Sequence, residues 1–514
     1  DTTIAVHGNA ASPALSNAGA IEDADAAGVL KVDATSLANT GTIISQGNQN
    51  VDADGLLLNS GEIASLAGSS ALSAAGLTNS GLIATAAGLD VSTTDDLLNT
   101  GTLYGATGLT LGTGGTTSNQ GGTIGTGATG ALAMTAAQVA NDNGTIQAGT
   151  SLALSTAGLD NEAGTILAGG AIGIRNGDAM TPLTALDNRG GAVQAGGNLT
   201  IAAASLANTA GTLVSVGGNV TLSAGSPATL MATLDNSSGG IIQAAGSVSI
   251  AAGTIGNDNG RILALDGNIA LDADSAPASA LAFSNAGGAV KAAGNLSLVT
   301  GTWSDDATGV MSAGQDLSVA AAGDMAVAGT LVGGQGLGLT AAGLTTASSG
   351  LMATENGVLA LVLTGTGSGD GLSNAGRIEA EGRGATLDVT TQAALANGGT
   401  LVSQGDVTLA AQGVTNSGEI GALAGLVDLN AASLANTGTL VASDQMNATL
   451  SGSVSNSGLV YGTQGVTLKS GGAIDDTDGR IGGNGAVALS GASLTNTSGA
   501  VISGAGTVSV TTTG

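Results

Sequence analysis

The chain has no cysteine, four prolines, one histidine and only four aromatic residues among its 514 residues. Aromatic side chains normally supply much of the buried area of cores and binding sites, so any core here must be built from Leu, Ile, Val and Ala. Large proteins with a continuous core can do without disulfides, so the missing cysteine leaves the compartment open. A Ser/His/Asp triad or a histidine-rich metal site would have to use His7, and no Gly-x-Ser-x-Gly motif accompanies it.

Basic residues are also scarce, with nine Lys and Arg against 37 Asp and Glu and a net charge of −28. Nucleic-acid binding needs clustered basic residues, so the charge excludes a nucleic-acid partner, and it disfavours anionic membrane surfaces. The longest aliphatic run, Val358–Leu363, is far shorter than the ~20 residues of a membrane-spanning helix. The acidic surface therefore indicates solubility and resistance to self-association.

Glycine and aliphatic residues are abundant and are arranged in a repeat. There are 90 glycines, and 42 % of the residues are hydrophobic, which is too many for a disordered chain of low hydrophobicity. The phrase aliphatic-x-Asn-x-Gly recurs with a period of 20 residues over long stretches, with its Asn at positions 39, 59, 79, 99 and 119 and again at 416, 436 and 456. The repeat predicts about 23 stacked copies, among which Asp305, Val327, Thr346 and Asp476 mark degenerate ones.

Within each copy the apolar residues alternate. Around Asn79 they are Leu77, Ile83, Leu89 and Val91, all at an even spacing from the Asn. Alternation is typical of strands with one buried face, and the intervening Gly, Asn and Ser residues are turn formers. One copy cannot close a core, so the sequence predicts an all-β solenoid of roughly 23 coils of about 20 residues, forming one elongated domain over residues 1–514.

The recurring Asn is predicted to stack at one corner of the coil. Such an Asn donates its amide to a carbonyl of the next coil and accepts from a backbone N–H, so that a ladder satisfies the polar groups of the corner. The predicted structural corner ladder comprises Asn39, Asn59, Asn79, Asn99, Asn416, Asn436 and Asn456.

The repeat resembles the haemagglutinin repeats of filamentous-haemagglutinin-like exoproteins. Matching phrases are Asn39-Thr-Gly-Thr-Ile43, Asn143-Gly-Thr-Ile146-Gln-Ala-Gly149-Thr-Ser-Leu152-Ala-Leu154 and Gly217-Gly-Asn-Val220-Thr-Leu222. The resemblance implies a right-handed parallel β-helix, export by two-partner secretion through an outer-membrane partner, and display at the cell surface. The family includes adhesins and contact-dependent growth-inhibition exoproteins. An amino-terminal secretion domain is not recognisable, and the opening at Asp1 without a signal peptide predicts a piece of a longer protein.

Four copies are 27 or 28 residues long, and their extra residues precede the aliphatic-x-Asn phrase. These insertions, predicted as loops along one edge, lie near 178–186, 225–234, 274–283 and 365–372. Three contain a proline, which cannot sit within a central ladder. Leu183, Leu230, Met231 and Leu281 are predicted to make small apolar contacts outside the ladder. The loops are either tolerated growth or a ridge that faces a partner.

Three acidic groups invite a binding or catalytic interpretation. Asn50-x-Asp52-x-Asp54-Gly55 resembles the start of a calcium loop, but Gly61 stands where the bidentate Glu is required. Asp475-Asp476 with Arg480, and Asp305-Asp306 with Trp303, resemble the acids of polysaccharide-cleaving β-helices. Both pairs fall where the corner Asn belongs, and Asp is a conservative substitute there.

The sequence therefore predicts a non-enzymatic shaft without cofactor or metal. It is expected to be secreted, to mediate adhesion or present a distal domain, and to meet a receptor or glycan of a host or neighbouring cell. The alternative is a β-helix that binds or cleaves polysaccharides, against which the scarcity of aromatic residues and of histidine speaks.

Overall fold

Short parallel strands make up the fold. The computed structural model describes residues 1–8, 14–177, 181–225, 230–272, 281–367 and 371–514. Within these ranges there is no helix, about 62 % of the chain is strand, and the parallel sheets stack as a β-solenoid of about 24 turns. The predicted all-β solenoid is confirmed, with a coil count close to the 23 predicted.

The chain divides into two units, Asp1–Gly256 with Gly260–Leu265, and Asn257–Asn259 with Asp266–Gly514. The strands of the first unit are β1 (Thr2–Val6), β2 (Leu15–Asn17), β3 (Ala20–Asp23), β4 (Val29–Ala34), β5 (Leu37–Asn39), β6 (Thr42–Ser45), β7 (Asn48–Asn59), β8 (Glu62–Ser65), β9 (Ser70–Asn79), β10 (Leu82–Thr85), β11 (Gly88–Thr93), β12 (Leu97–Asn99), β13 (Thr102–Gly105), β14 (Gly108–Thr113), β15 (Thr116–Ser118), β16 (Thr123–Thr126), β17 (Ala131–Ala136), β18 (Gln138–Ala140), β19 (Thr145–Ala148), β20 (Leu152–Thr156), β21 (Gly158–Asp160), β22 (Thr165–Ala168), β23 (Ile172–Arg175), β24 (Ala185–Asp187), β25 (Ala192–Ala195), β26 (Leu199–Ala202), β27 (Ser205–Ala207), β28 (Thr212–Ser215), β29 (Val220–Ser223), β30 (Thr233–Asp235), β31 (Ile241–Ala244), β32 (Val248–Ile250), β33 (Thr254–Gly256) and β34 (Arg261–Ala264).

The strands of the second unit are β35 (Ile269–Leu271), β36 (Ala282–Ser284), β37 (Ala289–Ala292), β38 (Leu296–Thr300), β39 (Thr302–Ser304), β40 (Val310–Ala313), β41 (Asp316–Ala321), β42 (Met325–Val327), β43 (Thr330–Gly333), β44 (Gly336–Ala341), β45 (Leu344–Thr346), β46 (Leu351–Thr354), β47 (Val358–Leu363), β48 (Gly371–Asn374), β49 (Arg377–Ala380), β50 (Thr386–Thr391), β51 (Ala394–Asn397), β52 (Thr400–Ser403), β53 (Val407–Asn416), β54 (Glu419–Ala422), β55 (Val427–Asn436), β56 (Thr439–Ala442), β57 (Gln445–Leu450), β58 (Val454–Asn456), β59 (Leu459–Gly462), β60 (Gly465–Ser470), β61 (Ile474–Thr477), β62 (Arg480–Gly483), β63 (Ala486–Gly491), β64 (Leu494–Thr497), β65 (Val501–Gly504) and β66 (Val508–Thr512).

A typical coil contains three strands, each of which pairs in parallel with its counterpart in the next coil. Strands β4, β5 and β6 form one such coil, in which β4 and β5 pair with the long strand β7, and β6 pairs with β8. The register places identical residues of successive coils beside each other, with Leu37 beside Leu57, Asn39 beside Asn59 and Ile43 beside Ile63. Three columns of strands therefore run along each unit, and we call them the first, second and third columns in coil order.

The core lies inside the coil and is built from the alternating residues. Leu77, Ile83, Leu89 and Val91, the four apolar positions that the sequence assigns to one copy, are each at most 3 % exposed. In β11 the outward neighbours of the buried residues are polar, and Asp90 and Ser92 are exposed. Period-two alternation thus gives each strand one buried face.

The glycine of the Asn-x-Gly phrase is required by the close approach of successive coils. A Cβ atom on Gly61 would lie 2.0 Å from the carbonyl oxygen of Gly41, and one on Gly81 would lie 2.1 Å from that of Gly61. These oxygens are backbone atoms of the preceding turn, so no side-chain movement relieves the clash. The recurring glycine therefore permits the stacking of tight corners.

Other coils use a longer corner in which one residue takes a left-handed conformation. Asn143, Ala163 and Ala210 have φ values of 54°, 53° and 55°. The extra residue moves the close-contact glycine one place along the chain, so that a Cβ on Gly144 would lie 2.0 Å from the carbonyl oxygen of Asn119. Two corner geometries therefore occur in different stretches of the chain, and both keep the Asn in its stacked position.

The insertions fall between the first and second strands of their coils, between β23 and β24, β29 and β30, β35 and β36, and β47 and β48. Residues 178–180, 226–229, 274–280 and 368–370 of these predicted loops lie outside the described residues. Each of the predicted loops nevertheless ends on a buried strand residue, as at Leu186, Leu234, Phe283 and Leu372.

The prediction that Leu183, Met231 and Leu281 lie outside the ladder is wrong. All three are at most 1 % exposed, and Leu183 and Met231 form parallel bridges with Ala203 and Ala252 of the following coils. The core encloses one further apolar residue of each of these three loops shortly before the second strand. The chain therefore rejoins the sheet several residues before the aliphatic-x-Asn phrase begins. Only Leu230 of this group is partly exposed.

Candidate functional site

The stacked Asn side chains form a hydrogen-bonded column at the end of the second strand. The Nδ2 of Asn39 donates to the Oδ1 of Asn59 at 2.8 Å, and Asn436 donates to Asn456 in the same way at 2.8 Å. The column includes each Asn that the sequence assigned to it, Asn39, Asn59, Asn79, Asn99, Asn416, Asn436 and Asn456, and all are at most 2 % exposed. These buried amides therefore satisfy each other's hydrogen-bonding groups from coil to coil.

Each amide also reaches the turns on either side. The Nδ2 of Asn436 lies 3.3 Å from the carbonyl oxygen of Gly438 in its own coil and 3.1 Å from that of Leu459 in the next. The expected donation to a neighbouring carbonyl is therefore present.

The expected acceptance from a backbone N–H is wrong for most of the column. The Oδ1 accepts instead from the Asn of the preceding coil, because identical side chains in register place donor beside acceptor. A backbone N–H donates to Oδ1 at Asn17, from Gly19 at 3.2 Å, and at Asn374, from Gly376 at 3.1 Å. No Asn stands at the ladder position of the coil before Asn374, where Thr346 takes its place.

The acidic pair Asp475-Asp476 lies in this column. Asp476 is fully buried, and its Oδ1 accepts from the Nδ2 of Asn456 at 2.7 Å. Burial raises the pKa of the Asp476 carboxyl above its ordinary value. Asp475 is exposed and accepts from the hydroxyl of Thr477. The two carboxyls therefore face opposite sides of the strand, and Asp476 is out of reach of a polysaccharide chain.

The second acidic pair, Asp305-Asp306, is arranged differently. The Oδ2 of Asp305 accepts from the backbone N–H of Gly329 at 3.1 Å, while its Oδ1 is buried and has no hydrogen-bond partner among the described residues. Asp306 is exposed and accepts from the N–H groups of Gly287 and Thr308 at 2.9 Å each. Burial raises the pKa of the Asp305 carboxyl to about 6. Trp303 packs against Phe283 with 5.5 Å between the ring centroids and 39° between the ring planes, so the side of the indole that faces Phe283 is closed to a sugar.

The raised pKa of Asp305 predicts a stability that falls as pH rises. The folded carboxyl titrates near 6 and the unfolded one near 3.8, so the stabilising protonated form is fully present below about 3.8 and is lost as pH rises through about 6. Because Asp305 is partly exposed, we expect the loss between pH 4 and pH 7.5 to be only about 1–2 kcal/mol. Urea unfolding at the two pH values measures it. Asp305→Asn should remove this component, and an unchanged pH dependence in that variant would assign it to other groups.

A comparison with protein families identifies the repeat. The sequence pattern described as "haemagglutinin repeat" matches residues 25–81, 65–129, 127–181, 183–225, 215–298, 264–382, 366–423, 422–478 and 473–514. The chain belongs to the haemagglutinin repeat family. Comparisons with curated proteins and with solved structures returned no match. Haemagglutinin repeats on a β-solenoid indicate an adhesin-type shaft.

The remaining sequence candidates lie on the outer surface of the coils. His7 and Asp33 are 3.7 Å apart, and both side chains are more than half exposed. Asn50, Asp52 and Asp54 alternate along β7 with their side chains outward. Such neighbours are about 7 Å apart and cannot converge on one ion. Within the described ranges no group of three or more His, Cys, Asp or Glu side chains is placed to hold a metal.

Sequence reasoning missed one surface feature of the repeats, a shallow groove of about 450 Å³ beside Arg175. Its floor consists of the outward residues of neighbouring first-column strands, among them Ala153, Gly173 and Thr200. These outward residues are small, and that run of small side chains was the available signal. Among the described residues, no helix is long and apolar enough to cross a membrane.

Proposed function

We propose that the chain is a length of shaft in a secreted bacterial surface exoprotein that mediates adhesion or presents a distal domain to other cells. The observation that supports this is the in-register stacking of nearly uniform coils, each of which buries its apolar residues only against its neighbours. Stability in such a protein adds up coil by coil, so length can grow without a new core. A shaft needs this property.

The proposal includes export and contact partners. Family membership supports export through an outer-membrane secretion partner that acts on a part of the exoprotein outside this chain. The receptor is a protein or glycan on a host or neighbouring cell. The net charge of −28 favours a neutral or basic contact surface over nucleic acid.

The acidic pairs support a structural role over polysaccharide cleavage. Glycoside hydrolysis needs two carboxyls that flank a substrate, with their oxygens open to a cleft. Asp476 instead accepts from Asn456 inside the coil, and the Oδ1 of Asp305 is buried. We therefore propose that both residues serve as members or substitutes of the Asn column.

The shaft predicts one elongated domain over residues 1–514, with the insertions along one edge. Coils spaced ~4.8 Å apart give a rod of roughly 115 Å for about 24 turns, and hence a radius of gyration of about 33 Å. A globular chain of this length would have about 24 Å. Small-angle X-ray scattering of the purified chain measures this value, and a result near the globular one would reject the shaft.

A further inference from the structure

The second column of strands is interrupted in the second unit. Strand β36 pairs with β39, and β42 pairs with β45, but β39 and β42 do not pair with each other. These strands are Thr302–Ser304 and Met325–Val327, and all of their residues are described. One edge of two neighbouring coils therefore lacks the backbone hydrogen bonds that join the other coils of this unit.

The Asn column is interrupted in the same place. Its positions are taken by Asp305, Val327 and Thr346, and we call these three coils the ladder gap. Asn285, below the gap, donates to the carbonyls of Gly288 and Val310 but to no side chain of the next coil. Val327 has no polar side-chain atom, so a side-chain ladder cannot cross this coil.

Buried polar atoms without partners concentrate in the ladder gap. Among the described residues five buried side-chain nitrogen or oxygen atoms lack a hydrogen bond, and three of them are Trp303 Nε1, Asp305 Oδ1 and Thr346 Oγ1. A buried polar group left without a partner destabilises the folded chain, because it has lost its hydrogen bonds to water without replacement. The coils here are therefore less stable than coils with a complete ladder.

The size of Trp303 explains the break. Its position is occupied by Leu, Ile or Val in most coils, and the narrow core takes those side chains fully. Phe283 is accommodated at 2 % exposure, but Trp303, whose ring centroid lies 5.5 Å from that of Phe283, remains partly exposed. Overfilling a packed core moves the backbone. Such a shift of β39 accounts for its lost pairing with β42.

The other two columns continue through the same coils. In the first column β38 pairs with β41 and β41 with β44, and in the third β37 pairs with β40 and β40 with β43. Opening at the gap is therefore confined to one edge. We propose that the ladder gap is a built-in opening point, at which the second column of the unit separates while the flanking coils stay stacked.

The single tryptophan of the chain reports on this point directly. During urea unfolding of the whole chain, we expect the fluorescence transition of Trp303 to precede the loss of the circular-dichroism signal of the sheets, by about 0.5 M or more. The triple variant Asp305→Asn, Val327→Asn, Thr346→Asn completes the Asn column and should bring the two transitions together. Asp476→Asn, the same chemical change at a ladder position outside the gap, should leave their separation unchanged.

Hydrogen exchange gives a second measurement that does not depend on the variants. The amides of 302–304 and 325–327 should exchange at least about tenfold faster than those of the equivalent strand β58, since opening costs less at the gap. Coincident optical transitions in the unmodified chain, or equal exchange in these strands, would overturn the proposal.

Discussion

Replacing Asn436 with Leu should destabilise the chain by about 1–3 kcal/mol, because the substitution interrupts the ladder on both sides. The Nδ2 of Asn416 loses its acceptor, and the Oδ1 of Asn456 loses its donor. The carbonyl of Leu459 loses a donor as well. Leu has the same branched side-chain skeleton as Asn but is larger and carries no hydrogen-bonding group, so the substitution removes the hydrogen bonds and crowds the corner. Urea unfolding monitored by circular dichroism measures the effect.

Asn430 provides the matched control. It lies in the same strand, β55, but its side chain is exposed and its one side-chain contact is with Asp428 at 3.4 Å. Asn430→Leu should change the free energy of unfolding by no more than about 0.5 kcal/mol. If both substitutions lower the free energy of unfolding by the same amount, an Asn in the buried column contributes no more stability than an exposed Asn.

Removing two whole coils should leave the protein folded. Asn416 and Asn456 are both followed by Ser-Gly, so deletion of residues 417–456 joins Asn416 to Ser457 with the local sequence unchanged. The stacked Asn residues here are 20 residues apart, so the deletion keeps every strand in its column. Because each coil contacts only its neighbours, we expect the thermal midpoint to move by less than about 5 °C.

A shorter deletion, of residues 417–446, should be far more damaging. It removes one and a half coils and brings Asn447, a residue of the first column, to the corner after Asn416. Strand β57 and the strands after it would then lie beside strands of a different column. Their apolar residues would lose the apolar residues on which they stack. We expect loss of sheet signal and of protease resistance downstream of the junction. Equal tolerance of both deletions would contradict a register set by whole coils.

The corner Asn shows which features of the column could be predicted from the sequence. Its period and its apolar neighbours predicted a stacked position, and the structure places Asn39, Asn59 and Asn79 directly above one another. The partner of its Oδ1 was not predictable, since a single copy contains both a backbone N–H and an amide within reach. The neighbouring coil decides between them.

The insertions show where burial could not be predicted from the sequence. Their prolines and their place before the Asn phrase located them between the first and second strands, but Leu183 and Met231 were assigned to the outside. Alternation identifies a buried residue only where a strand is regular. Close to a loop, burial depends on the space left by the adjacent coil, which the spacing of residues along the chain does not contain.

The sequence by itself determined the class of fold, the length of the coil and the identity of the inward residues, because all three follow from a local period that is repeated many times. Only the tertiary structure decided where that repetition fails. The missing pairing of β39 with β42 and the buried atoms of Trp303 and Asp305 depend on whether a large side chain fits between two particular neighbours. Packing of this kind is a property of three coils in contact, and no single copy carries it.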